Sequence, residues 1–297
     1  MNTIWSDYIQ SSVELYASRE LRFREDNIAA WLPVLQASDG MRILEVGCAA
    51  GLLLHRIKTA LPGVQAIGLD RDSAHIAFAR QKTQELGLDC EFVEGDALCL
   101  PFAEDSFDLT LSHTVIEHVE TQPFLREQRR VLRPGGRIVV LSVRTSLNVA
   151  PENWKPVAGE EKELFETLWS GVDMELDRQN DVGKYEMREC DFPKALEQAG
   201  FQQIDVSFIS LLRYAPDNHS ITPELAEKMI SENRVSMLES TAKALRRNPD
   251  GLTPQQQSRL RELIDDRCDR RLQQYRRHEK LWDMATSTVM VVTGKKA

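Results

Sequence analysis

Ile43-Leu44-Glu45-Val46-Gly47-Cys48-Ala49-Ala50-Gly51 reads as an apolar strand that contains an acidic residue near its end and runs into a turn of small residues. A helix follows at once over Leu52-Leu53-Leu54-His55-Arg56-Ile57. Small residues at a strand-to-helix turn let a ligand approach the backbone closely, because no side chain stands in the way. The helix beyond the turn offers N–H groups that have no intrahelical partner. Glu45 would repel a pyrophosphate and suits a ligand with a positive group, such as the ammonium of an amino acid.

The flanking segments extend this unit. Val64 to Leu69 is a second apolar strand that ends at Asp70. An acidic residue roughly 20 positions after the turn, at the tip of the second strand, is where a doubly wound fold meets ribose hydroxyls. A carboxylate accepts two such hydrogen bonds better than a neutral side chain does. Asp72-Ser73 supplies good cap residues for the next helix. Cys90 to Val93 predicts a third strand, which leads into Gly95-Asp96-Ala97-Leu98. Phe107 and Leu109 alternate with polar residues, as strand residues do. Arg133-Pro134-Gly135-Gly136 reads as a helix end and turn before a fifth strand, Ile138 to Leu141.

In this order the segments of 41–143 resemble the class I S-adenosylmethionine (SAM) dependent methyltransferases. The first turn is similar to the family's motif I, E/D-x-G-x-G-x-G, and matches it at Glu45, Gly47 and Gly51. Ala49 replaces the middle glycine and adopts positive φ less readily. Pro101 to Asp108 resembles the entry to strand four in one large branch of the family. The G-x-G-x-x-G fingerprint of nicotinamide enzymes is missing. The resemblance implies SAM as cofactor. It places Glu45, Gly47, Cys48, Ala49 and Gly51 at the amino-acid end, Asp70 and Arg71 at the ribose, and Asp96, Ala97 and Leu98 at the adenine, with Ser112 and His113 closing the site. Asp96 would accept the adenine amino group, and Leu98 would form an apolar wall.

The expected fold is α/β, a Rossmann-like seven-stranded, mostly parallel sheet with an antiparallel last strand and helical cap insertions. Residues 7–37 look helical, with Ile28, Trp31, Leu32 and Leu35 on one face, so 1–40 are expected to cover the cofactor. The core is 41–143, continued by a helix and strand six over 191–210 and a C-terminal strand over 286–297. An insertion at 144–190 carries Leu164, Phe165, Leu168 and Trp169 on one helix face. A second, at 211–285, begins two helices with Thr222-Pro223-Glu224 and Thr253-Pro254-Gln255-Gln256, a strong start signal. Leu260, Ile264, Cys268, Leu272, Tyr275 and Trp282 are expected along one side of the resulting hairpin. The two insertions are expected to pack together as a cap over the cofactor cleft.

At 297 residues the chain is long enough for a full core. Its formal net charge of −9 argues against general nucleic-acid affinity, which needs clustered Lys and Arg. Arg267, Arg270, Arg271, Arg276, Arg277 and Lys280 are interleaved with acids and read as a solvated face. Five scattered cysteines without a C-x-x-C suggest a reducing compartment. No signal peptide or membrane span is apparent, so a cytoplasmic protein without a membrane partner is expected.

The resemblance implies methyl transfer to a small-molecule acceptor. The other readings are a SAM-binding protein without turnover, and a methyltransferase acting on protein or RNA. His113 and His118 are the candidate catalytic residues, and His118 has a structural alternative, a hydrogen bond to nearby backbone. Glu117-His118 resembles part of the Glu-x-x-Glu-His pattern of metal-dependent methyltransferases, but Thr114 stands where the first glutamate would be, so no metal is expected. A homodimer through the C-terminal hairpin is a further candidate contact.

Overall fold

A computed structural model of the chain describes residues 5–149, 159–172, 174–179 and 181–297. In chain order its elements are α1 (Trp5–Tyr8), α2 (Ser12–Glu20), α3 (Ile28–Leu35), β1 (Arg42–Val46), α4 (Leu52–Ala60), β2 (Gln65–Asp70), α5 (Ser73–Glu85), β3 (Glu91–Glu94), β4 (Phe107–His113), α6 (Thr121–Val131), β5 (Leu132–Val143), α7 (Gly159–Ser170), α8 (Met174–Gln179), α9 (Asp191–Gln198), β6 (Phe201–Tyr214), α10 (Pro223–Arg247), α11 (Pro254–Arg276) and β7 (Ala285–Lys296). Short 3-10 turns lie at Ile116–His118 and Thr145–Leu147.

The strands form one seven-stranded sheet in the order β3-β2-β1-β4-β5-β7-β6. β1 pairs parallel with β2 and β4, β2 with β3, and β4 with β5. β7 runs antiparallel to β5, with Arg137 opposite Lys295 and Val143 opposite Val289. The strand order reverses at β1, so a crevice opens beyond the carboxyl ends of β1 and β4. Leu44, Val46, Leu69, Phe107, Phe124, Val140, Phe192 and Val292 belong to the core cluster that packs around the sheet.

Three local readings change. Residues 7–37 are helical in three pieces and not throughout. Ser11 ends the first turn and starts α2 with a capping box to Glu14, and a turn over 21–27 separates α2 from α3. Trp31 and Leu35 are fully buried, whereas Ile28 and Leu32 are only partly so. β4 is buried along its whole length and not on alternate faces, because it is a central parallel strand covered on both sides. Its Asp108 accepts the Arg42 N–H at 2.8 Å and pairs with Arg133. β6 is longer than its alternation suggests, and Val206 and Phe208 are about half exposed, at 45% and 50%.

The chain divides into two compact units, one of 1–144, 177–209 and 288–297 and one of 145–176 and 210–287. Residues 177–190, read above as insertion, therefore group with the sheet. In the second unit, Leu164 and Leu168 of α7 pack with Met237 and Ala244 of α10 and with Leu260, Ile264 and Cys268 of α11. Thr222 caps α10, and Thr253 forms a reciprocal capping box with Gln256 on α11. Leu272 and Tyr275 are partly buried beside Tyr214. Trp282 departs from the expected stripe: α11 ends at Arg276, and Trp282 stands in the following turn with 55% of its surface exposed.

Candidate active site

A cleft of about 480 Å³ lies at the carboxyl ends of the strands within the sheet unit. That volume lies in the range of small-molecule sites, roughly 300–1,000 Å³. Its floor is the β1–α4 turn. Gly47 and Cys48 donate their N–H groups to Leu69 C=O at 2.7 and 3.0 Å. Gly47 has φ +74, and a Cβ there would stand 2.4 Å from Val115. Ala49 occupies the left-handed region at φ +48, which costs a non-glycine residue about 1–2 kcal/mol. Its N–H donates to Asp70 Oδ2 at 2.8 Å. The substitution for glycine is thus accommodated by a carboxylate from the next strand.

Asp70 also accepts the Asp72 N–H on Oδ1 at 2.9 Å. Burial raises its pKa, and the amides of Asp72 and Ala49 oppose that shift. Asp72 in turn caps α5 through the amides of Ala74 and His75 and accepts the Ser6 N–H at 2.7 Å. Ser12 Oγ lies 2.8 Å from His75 Nδ1. These bonds tie the N-terminal helices to the tip of β2. At the tip of β3, Asp96 Oδ1 accepts the Leu98 N–H at 2.8 Å, which shapes the 95–98 turn.

Gly47, Ala49, Asp70, Arg71, Asp96, Ala97, Leu98, His113 and His118 all line the cleft. Glu45, Cys48 and Gly51 do not. They lie around a small recess behind the turn, which Arg19 and His113 also line. Glu45 is 3% exposed and its Oε2 has no hydrogen-bond partner among the described residues. Burial pushes its carboxyl up to about 8, against the opposing pull of the Arg19 guanidinium. Burial likewise raises the Cys48 thiol. Ser112 is not brought to either space: it is 1% exposed inside the sheet.

The two histidines differ. His113 is buried and meets Arg19 Nη1 at 2.7 Å through Nδ1 and Arg22 Nη1 at 3.1 Å through Nε2. Burial and these two cations hold its pKa well below the ordinary imidazole range. A ring that resists protonation this strongly is a poor proton acceptor. His118 accepts the Gly183 N–H on Nδ1 at 2.9 Å and packs edge-on against Trp5, with 4.7 Å between centroids. The structure thus gives it the backbone bond foreseen as its structural alternative, although from a segment far along the chain. Glu117 bonds Ser142 Oγ, and burial raises its pKa.

Sequence reasoning missed the wall made by Asp181, Lys184 and Tyr185. Lys184 bonds Asp181 at 3.0 Å, and the Tyr185 N–H donates to Glu117 C=O at 2.9 Å. Gly183, at φ +67, marks a turn there. Nothing in the local sequence ties that turn to Glu117 and His118. Arg19 is a cleft residue as well, and Arg22 stands behind it on His113.

The arrangement fits an elongated amphoteric ligand. Carboxylates stand at two strand tips for hydroxyl and amino groups, and backbone approaches closely in the middle. At the other end a buried carboxyl with one oxygen unpartnered among the described residues lies beside an arginine.

Residues 37–172 match the family described as "Methyltransferase domain". A demethylmenaquinone methyltransferase of Thermus thermophilus is 39% identical over 101 residues, which are 34% of this chain and 46% of that protein. A ubiquinone biosynthesis O-methyltransferase of Brucella anthropi is 32% identical over 110 residues, 37% of this chain and 44% of that protein. The matched stretch spans less than half the length of each of these relatives. Among solved structures, a Haemonchus contortus phosphoethanolamine N-methyltransferase with S-adenosylhomocysteine (SAH) bound superposes with a TM-score of 0.55 over 99% of this chain and 59% of that one, at 16% identity. That likeness is one of fold.

Proposed function

We propose, from the premise that the core of this chain is a class I SAM-dependent methyltransferase domain, that the protein methylates a small-molecule acceptor. The observation that carries the reading is the placing of Asp70, Asp96 and the β1–α4 turn around one cleft. SAM, when bound, supplies the methyl group on its sulfonium. Asp70 would accept the ribose hydroxyls with the lone pairs its two backbone bonds leave over. Asp96 would accept the adenine amino group, against the apolar wall of Leu98. Glu45 would take the ammonium, and Arg19 the carboxylate. Trp5, His118 and Tyr185 would hold the acceptor and keep water out, since an in-line displacement depends on alignment and desolvation. His113 is assigned here to orienting Arg19 and not to proton transfer.

One relative above is named for methylation of demethylmenaquinone and the other for ubiquinone biosynthesis, and this supports a small-molecule acceptor. Among the described residues no helix is long and apolar enough to cross a membrane. All five cysteines stand as thiols, which supports a cytoplasmic setting. The α10–α11 hairpin is our candidate dimer contact. The test is to incubate the protein with SAM and a set of phenolic, quinol and amine acceptors, then measure SAH and methylated product. SAM binding by calorimetry without turnover on any small acceptor would sink the reading.

A further inference from the structure

We propose that the turn between α11 and β7, residues 277–284, is a docking tip for an anionic lipid surface. This turn displays Leu281, Trp282 and Met284 with 40%, 55% and 42% of their surface exposed. It is built to do so. Asp217 Oδ2 accepts the N–H groups of Leu281 and Trp282 at 3.0 and 2.9 Å and an Arg271 Nη2 donor at 2.8 Å. Arg271 also clasps Asp283, donating from Nε at 3.0 and 3.2 Å and from Nη2 at 2.7 Å, and the Tyr214 hydroxyl donates to Asp283 at 3.1 Å. The side chains of Arg271, Asp217 and Asp283 are 6%, 4% and 5% exposed. A buried ionic post therefore fixes the turn from beneath.

The same post holds Trp282 at φ +55, a conformation that a bulky residue adopts only under constraint. Packing does not explain it, because the indole gains little burial there. Strain held at an exposed tryptophan points to a partner outside the chain. The chemistry of the rim selects that partner. Lys280 Nζ stands 5.1 Å from the Trp282 ring centroid. Arg277 and Lys280 are exposed, with Glu279 as the one exposed acid in the turn, since Asp283 is committed to Arg271. The tip is thus locally cationic on a chain of net charge −9. Tryptophan and leucine with a fringe of Lys and Arg is the composition that settles at a lipid headgroup interface. The apolar surface extends in the same unit to Leu147 and Val149, 52% and 54% exposed, and Val149 exchanges hydrogen bonds with Thr286. That no helix among the described residues is long and apolar enough to cross a membrane does not bear on this mode, which lies on the surface of the bilayer.

Flotation of the full chain with vesicles of phosphatidylcholine, with and without phosphatidylglycerol, tests the assignment. The expected result is co-flotation with the anionic vesicles alone. Trp282→Ala and Lys280→Glu should each weaken partitioning, by about tenfold for the tryptophan, with thermal midpoint and helicity kept. Absence of co-flotation overturns the proposal, as does partitioning of either variant that equals the wild type's. So does a chain that stays off vesicles but sediments as a dimer that Trp282→Ala converts to monomer, because the occupant is then a second copy.

Discussion

Glu45 sets a cost against a use at a single residue. Its carboxyl is held to about 8 by burial, with Arg19 lowering it and Asp70 raising it. The ordinary glutamate value is about 4.3. Between those limits the folded chain keeps a proton that the unfolded chain has released. The cofactor-free protein should therefore be most stable at low pH with respect to this group and lose that stability as pH rises through about 8. Glu45→Gln should flatten the fall in thermal midpoint between about pH 4.5 and 8, and a variant that melts with the wild-type pH slope would refute the assignment. The same substitution should weaken cofactor binding. An ammonium prefers the ionised carboxylate, so wild-type affinity should climb toward pH 8 and decline above it as an amine of pKa about 7.8 loses its proton. Calorimetry in buffers of different ionisation enthalpy reads this directly as protons released on binding. For Asp70, Ala substitution should cost at least about 1.5 kcal/mol of SAM affinity, the scale of a hydrogen bond to a charged group. Unchanged affinity with the fold intact would reject the ribose role.

Among elements, β2 shows how tightly the turn is supported. A Cβ on Gly68 would stand 2.7 Å from the Phe92 ring and 2.8 Å from Cys48 Sγ. Gly68→Ala should destabilise the chain by about 1–3 kcal/mol through overpacking, and adding Phe92→Leu should recover part of that loss. Denaturant midpoints of the two single variants and the double variant measure the coupling. At the start of α11, Thr253→Ala removes the hydroxyl that accepts the Gln256 N–H, the side-chain half of the capping box, and should cost about 1 kcal/mol. These elements were legible because their signals are local: glycines at a turn, Thr-Pro at a helix start, an acid at a strand tip. Other features were not. The buried face of β4 depends on its place between β1 and β5, and the Gly183 bond to His118 joins residues 65 apart. Ser112 shows the same limit from the other side. It matched a site position in sequence, but the strand turns its side chain into the sheet.

For the whole molecule, the division into two units has a functional test. The helical unit has its own apolar cluster and caps. We propose that it selects the acceptor. Replacing 215–283 by a short turn should spare SAM binding and abolish turnover on the acceptor. A truncated protein that folds and methylates at the original rate would assign the hairpin to another task, such as contact between copies.

The position of β7 has a consequence for synthesis. It is the only partner β5 has on that side, and it pairs from Arg137–Lys295 to Val143–Val289, about 150 residues later in the chain. While a ribosome works through the intervening helices, the nascent chain holds a long apolar strand with one flank unpaired. Such a flank is a template for wrong pairing, and domains otherwise tend to fold as they emerge. The parallel strands β1 to β4 can collapse early, but the sheet closes only when residues near 289 are released. The chain should thus depend on holding chaperones during translation. A stop codon before β7 should yield aggregate and not a soluble fragment that lacks one strand.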